Sequence, residues 1–363
     1  MTTPSVVPSA RVMICDDSAV IRGAIARALE ADPAIRVVAR AANGRDAVES
    51  LRRTPVDVIV LDIEMPVLDG IAALPLLLAI DPGVRIVMAS TLTTRGADIA
   101  LRALRLGAAD YIPKPSAIGP LGDAVFRDEL VAKVKGLARL RRAAACGPQP
   151  RAASAPGAPP APPRPPPART PHLLAIGSST GGPQALLALI TGLGRDVPVP
   201  VAITQHMPPA FTAMLATHIT ALGGLPCTEA TDQAPMLPGR IYLAPGNRHL
   251  LIEAGPAAGL RTRLSDAPPV NYCRPAVDPM LESAAAAAQG RVLVAMLTGM
   301  GHDGLAGTRA VVAAGGTAVA QDEATSVVWG MPGAIAQAGL CHAVLPLPRL
   351  APRLLELLRS GRP

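Results

Sequence analysis

Three side chains in this sequence have the types that hydrolytic chemistry needs. Ser179 stands at the centre of Gly177-Ser178-Ser179-Thr180-Gly181, between the apolar run 173–176 and an apolar-periodic run opened by Pro183. A strand, a tight turn and a helix are expected there. Gly-x-Ser-x-Gly is the spacing by which acyl-transfer enzymes hold a nucleophilic serine clear of a sheet. A serine hydroxyl is a poor nucleophile at neutral pH. A histidine must take its proton, and a buried carboxylate must fix and stabilise that histidine. His206 closes the strand-like segment 197–206, and Asp303 follows the strand-like segment that starts at Arg291. In a parallel sheet such strand ends share one edge, so Ser179, His206 and Asp303 can meet. The amide of Thr180 and one from the loop Thr298-Gly299-Met300-Gly301 are candidate oxyanion donors.

Each residue has rivals. A glycine-rich turn also cradles phosphate at a helix N-terminus, but no Gly-Lys-Ser/Thr follows, as a P-loop requires. His249 falls in a hairpin-like stretch, 239–253, where a structural role is commoner, and His302 beside Asp303 points elsewhere. Ser178 is off-centre in the turn, Asp278 fits a helix cap, Asp322 a loop, and Met300 a core position. The chain order Ser, His, Asp differs from the Ser, Asp, His of α/β-hydrolases, which disfavours that fold. The competing class is a non-enzymatic regulator that binds a nucleotide or partner through its glycine loops.

A second constellation lies nearer the N-terminus. Asp16 and Asp17 end one apolar run, Asp62 another, Ser90 a third and Lys114 a fourth. Three carboxylates on one sheet edge repel unless a hard cation such as Mg²⁺ sits among them. Lys114 and Ser90 are suited to neutralise and hydrogen-bond a phosphate on Asp62.

The elements that must position these residues alternate regularly. Strands at 11–15, 35–41, 56–66, 84–90 and 109–115 are separated by helices at 19–30, 44–52, 71–79 and 98–106, with a last helix over about 122–142. The fold expected is α/β: a five-stranded parallel doubly wound sheet, then a second doubly wound, mainly parallel α/β domain with a helix over 279–289. Between them, eleven of the 24 residues from 148 to 171 are proline, which makes an extended spacer rather than a core. The domains expected are 1–135, a helix end and Pro/Ala/Arg-rich linker over 136–171, and 172–363.

Composition excludes several classes. Five scattered cysteines without a CxxC pair argue against a disulfide framework or zinc cluster. The N-terminus has no signal-peptide pattern and no apolar run approaches membrane-spanning length, so a cytoplasmic protein is expected. The net charge of +7 concentrates in 136–171, with six arginines and no acid, whereas 172–363 holds 12 basic and 11 acidic residues. A nucleic-acid-binding face is therefore not supported.

The segments Asp16-Asp17, Asp62-Ile-Glu-Met-Pro-Val-Leu-Asp-Gly70, Ser90 and Tyr111-Ile-Pro-Lys114-Pro115 resemble a bacterial response-regulator receiver domain. That resemblance implies a phosphoryl group on Asp62 from a histidine kinase, with Mg²⁺ held by Asp16, Asp17, Asp62 and the carbonyl of Glu64. Segments 176–182, 203–209, 237–246, 274–278 and 297–304 together resemble the catalytic domain of the chemotaxis protein-glutamate methylesterases. It implies hydrolysis of glutamate γ-methyl esters, and deamidation of glutamines, on the cytoplasmic helices of chemoreceptors. Carried over by position, the triad falls on Ser179, His206 and Asp303, with an oxyanion contact at the Met300 amide. No cofactor is implied in that domain, nor membrane insertion, and a monomer is expected. Ser178 stands where alanine is frequent in the family, and the linker is unusually long. A further expectation is that the unphosphorylated receiver covers the edge bearing Ser179. Activity should fall with pH near about 6.5, the value of a free imidazole.

Overall fold

The computed structural model describes residues 9–91, 93–114, 119–145, 169–256 and 259–359. Pro115, Cys146 and the spacer up to residue 168 lie outside them. The chain divides into two compact units, 1–150 and 151–363.

In the first unit, strands β1 (Ala10–Cys15), β2 (Ile35–Ala41), β3 (Val58–Asp62), β4 (Arg85–Ser90) and β5 (Asp110–Pro113) alternate with helices α1 (Ala19–Glu30), α2 (Gly44–Arg53), α3 (Gly70–Ile80), α4 (Thr94–Arg105) and α5 (Gly119–Ala145). All pairings are parallel, in the order β2-β1-β3-β4-β5. Every residue of β3 is buried, as befits a strand covered on both faces. Ser18, Asn43, Asp69 and Thr93 each accept a first-turn amide, so the helices start immediately behind the strand-end loops. The strand expected over 56–66 ends at Asp62, because the Gly70 amide bonds the Ile63 carbonyl and turns the chain back into α3. Strand order reverses between β1 and β3, which opens a crevice between the ends that carry Asp16 and Asp62.

The second unit contains β6 (Leu173–Ser178), α6 (Gly182–Leu193), β7 (Val201–Gln205), α7 (Pro209–Ala221), β8 (Cys227–Glu229), β9 (Pro235–Met236) and β10 (Ile241–Leu243). Then follow β11 (His249–Ala254), β12 (Leu260–Ser265), α8 (Val277–Ala287), β13 (Val292–Met296), α9 (Leu305–Ala313), β14 (Thr317–Gln321), α10 (Met331–Gln337), β15 (Cys341–Leu345) and α11 (Leu347–Arg359). Seven strands form one parallel sheet, ordered β15-β14-β13-β6-β7-β10-β8, with the reversal between β6 and β13.

The stretch 239–253 is not a hairpin. Its first half, β10, is a parallel strand between β7 and β8, and its second half, β11, pairs antiparallel with β12 in a separate three-stranded sheet. Pro245 and the left-handed Asn247 (φ 64°) turn the chain out of the large sheet between them. Among the described residues no helix is long and apolar enough to cross a membrane.

With so few aromatics, both units are cored by Ala, Val, Leu, Ile and Met, and the second also buries Phe211 of α7 completely. Phe211→Ala should therefore destabilise the second unit by about 3–5 kcal/mol, read as a lower denaturant midpoint; an unchanged midpoint would contradict the packing described.

Candidate active site

Ser179 follows the last residue of β6 and His206 the last of β7. The register pairs Ser178 with Gln205, so Ser179 and His206 stand side by side on neighbouring strands, which in such sheets run about 4.8 Å apart. The His206 amide donates to the Ser178 carbonyl at 3.2 Å. Gln205 reinforces this: its Nε2 donates to the carbonyls of Ser179 (3.0 Å) and His206 (3.1 Å), while its Oε1 accepts from Ser178 Oγ at 2.7 Å. Ser178 is thus a buried brace for the turn rather than a second nucleophile. Gly181 adopts φ 75°, which turns the chain from the serine into α6.

Asp303 comes from the loop after β13. Its Oδ2 lies 2.7 Å from His206 Nε2, and both oxygens of the carboxylate accept further donors. The amides of Val277 (2.6 Å), Asp278 (3.1 Å) and Gly304 (3.0 Å) and the Nδ2 of Asn271 (3.0 Å) all point at it. Val277 and Asp278 form the first turn of α8, whose N-cap, Ala276, supplies no side-chain acceptor. Asp303 caps that helix from another segment and gains the favourable end of its dipole. Burial opposes ionisation of Asp303, yet His206 and these donors hold its pKa below the usual carboxylate value.

His206 is the titratable group that this carboxylate holds in place. Burial disfavours the imidazolium, but the bonds to Asp303 and Cys273 outweigh it and raise the pKa to about 9. The second ring nitrogen, Nδ1, rests 3.4 Å from the Cys273 thiol. No hydrogen bond joins Ser179 Oγ to His206 among the described residues. Such contacts are often loose in free enzymes and tighten around substrate.

The Thr298–Gly301 loop lies against the serine. The Ser179 amide donates to the Thr298 carbonyl (3.0 Å), Thr298 Oγ1 donates to the Thr180 carbonyl (2.8 Å), and the buried Gln321 accepts the Thr298 amide (2.9 Å). Among the described residues, neither the Thr180 nor the Met300 amide has a protein acceptor, so both can donate to an oxyanion. Met300 is 37% exposed, not a core residue.

Of the rivals, His249 is buried between the Pro268 carbonyl and the Ala276 amide, and His302 is exposed. Asp322 caps a turn at Thr325. Asp278 accepts from Gly307 and from Asn271, which thereby bridges the two buried acids. Burial and the nearby Asp303 push the Asp278 carboxyl upward.

In the first unit Asp16 and Asp62 are buried and Asp17 is exposed, with ligand atoms from all three within 4.8 Å of one another. Lys114 Nζ lies 2.7 Å from Asp62 Oδ1 and 3.1 Å from Asp16 Oδ2. Burial raises the Asp62 pKa. Its other oxygen, Oδ2, is buried without a hydrogen-bond partner among the described residues, as an atom awaiting a ligand would be. A cavity of about 20 Å³ is lined by Asp62, Ser90, Thr91 and Lys114. The Ser90 hydroxyl donates to the Gly96 carbonyl at 2.9 Å rather than to Asp62. The Glu64 amide donates to Asp62 Oδ1 at 3.4 Å.

Comparison with known proteins matches residues 174–354 to the CheB methylesterase family and 12–126 to the response regulator receiver domain. A protein-glutamate methylesterase/protein-glutamine glutaminase of Paramagnetospirillum magneticum is 51% identical over 96% of both chains. One from Azospirillum brasilense is 54% identical over 94% of this chain and 91% of that one. The chain belongs to the protein-glutamate methylesterase/protein-glutamine glutaminase family. The crystal structure of the Thermotoga maritima CheB methylesterase catalytic domain superposes with a TM-score of 0.50 and 38% identity, covering 52% of this chain and 98% of that one.

As a member of that family, the chain is an enzyme with methylesterase and glutaminase activity, joined to a receiver domain. Sequence reasoning missed Gln205, Asn271 and Cys273. A buried glutamine at the end of an apolar strand was the one signal available; the other two sit in a turn with no motif.

Two outcomes follow from the geometry. A base with the raised pKa of His206 would make kcat/KM rise with pH up to about 9; a profile already flat at pH 7 would contradict it. A Cβ on Gly299 would meet Ser179 Cβ at 2.9 Å and also strike Met331 Sδ. Gly299→Ala should therefore lower kcat on the order of 10²-fold by displacing the serine, and near-normal turnover would refute that crowding.

Proposed function

We propose that this enzyme hydrolyses glutamate γ-methyl esters on chemoreceptors through a Ser179-His206-Asp303 triad, and that phosphorylation of Asp62 activates it. The observation that carries the reading is the bond between His206 and the amide-ringed Asp303, with Ser179 at the adjacent register position.

His206 Nδ1 takes the Ser179 proton as Oγ attacks the ester carbonyl, and the amides of Thr180 and Met300 receive the oxyanion. The C–O bond breaks, and methanol leaves with the proton from His206. Water then adds to the glutamyl ester of Ser179, giving its proton to His206, which returns it to Ser179 as the acid departs. A glutamine side chain follows the same path and releases ammonia.

In the receiver, Asp16, Asp17 and Asp62 with the Glu64 carbonyl would hold Mg²⁺, a charge that helps a phosphoryl group transfer onto a carboxylate. The three clustered acids and the unpartnered Asp62 oxygen fit that ion. A histidine kinase of the chemotaxis pathway is the donor, and the setting is cytoplasmic. Phosphorylation adds about −1.5 to −2 charge beside Lys114 and Ser90, enough to shift a modest equilibrium. It thereby lifts an inhibition that the first unit exerts on the second.

Methanol release from methylated receptor membranes checks both parts. Ser179→Ala should lower turnover on the order of 10⁶-fold, because triad members act as a unit; a variant with undiminished turnover would sink the assignment. A 172–363 fragment should outpace the unphosphorylated full chain, and equal rates would defeat the regulatory half.

A further inference from the structure

Val270 and Cys273 exchange two backbone hydrogen bonds, of 3.1 and 2.9 Å. They close a tight turn whose central residues, Asn271 and Tyr272, have φ of 51° and 62°. Two positive φ values in succession make a turn of the I′ type, whose second central position suits glycine. Asparagine tolerates the left-handed region, and Asn271 is anchored there by Asp278 and Asp303. A bulky residue in that conformation is an outlier of the kind that clusters at functional sites.

Tyr272 returns nothing to its own fold. The residue is 102% exposed, whereas Tyr111 and Tyr242 are each 6% exposed. Its position is fixed by its neighbours: Asn271 bonds Asp303, and Cys273 touches His206. The Tyr272 Cα is about 3.8 Å from the Cα of each of them, which puts the residue at the rim of the catalytic pair. When a glutamyl ester reaches that pair, the body brought alongside this rim is the protein to which the ester is attached.

We propose that Tyr272 is a substrate-contact residue whose ring packs on the side chains flanking the modified glutamate, so that the enzyme favours protein-borne esters over free ones. This rests on the esterase reading above. Tyrosine suits the task, since it offers a large rigid surface with few rotatable bonds, and such side chains dominate the energetics of protein interfaces.

The test compares kcat/KM for methylated receptor membranes and for a small soluble glutamate γ-methyl ester, in the phosphorylated full-length protein. In Tyr272→Ala and Tyr272→Gly the ratio of the two should fall about tenfold, mainly through KM on the receptor. Tyr272→Phe should stay within about twofold of wild type, because the ring is kept. The Tm of Tyr272→Gly should be no lower than that of wild type, since glycine relieves the turn. An unchanged ratio overturns the proposal. A Tm several degrees lower also overturns it, by assigning the ring to the fold. Wild-type protein inactive on both substrates would instead defeat the esterase reading, and this proposal with it, before any substitution is made.

Discussion

A carboxylate as deeply buried as Asp303 stays ionised only if donors surround it, and that requirement organises the catalytic unit. An unpaired buried charge costs several kcal/mol. Here the cost is offset by three amides, one side-chain amide and an imidazole. Two of those amides belong to the first turn of α8, which lacks a side-chain cap of its own. The same contacts that satisfy the acid therefore seat the helix. Because these donors fix the carboxylate, Oδ2 presents a constant acceptor to His206, whose other ring nitrogen rests against the Cys273 thiol.

Both units apply one architectural rule to different chemistry. Each places reactive groups at strand ends beside the point where strand order reverses in a parallel sheet, β1 and β3 in one and β6 and β13 in the other, with His206 reaching in from the neighbouring β7. At such a point neighbouring loops diverge and leave a crevice lined by strand ends. The receiver fills its crevice with acids countered by Lys114, an arrangement suited to a cation and a phosphoryl group. The catalytic unit fills the other with one acid, one imidazole and one hydroxyl. In each, burial shapes the titration, raising the pKa of Asp62 and working against the imidazolium of His206.

Most of the fold was legible because parallel strands announce themselves as short apolar runs ended by polar residues. Asp16, Asp62, Ser90, Ser179 and His206 each sit at or just past such an end. The pairing of 239–253 was not legible, since a tyrosine-containing strand followed by Pro-Gly-Asn reads as a local hairpin when the partners are in fact β7 and β8 on one side and β12 on the other. Asn271, Tyr272 and Cys273 were hidden for a related reason. Their importance lies in a backbone conformation and in contacts with Asp303 and His206, more than thirty residues away in sequence, and no spacing rule encodes either. The basicity of His206 was not legible either, because burial works against its imidazolium while the contacts with Asp303 and Cys273, distant in sequence, favour it.

The central claim is that His206, backed by Asp303, makes the Ser179 hydroxyl the single reactive nucleophile of the chain. Treatment of the full-length protein with a fluorophosphonate, followed by mass-spectrometric mapping of the adduct, tests it most directly. The account requires the label on Ser179 and its loss in His206→Ala. A label on another residue, or undiminished labelling in the histidine variant, would contradict it.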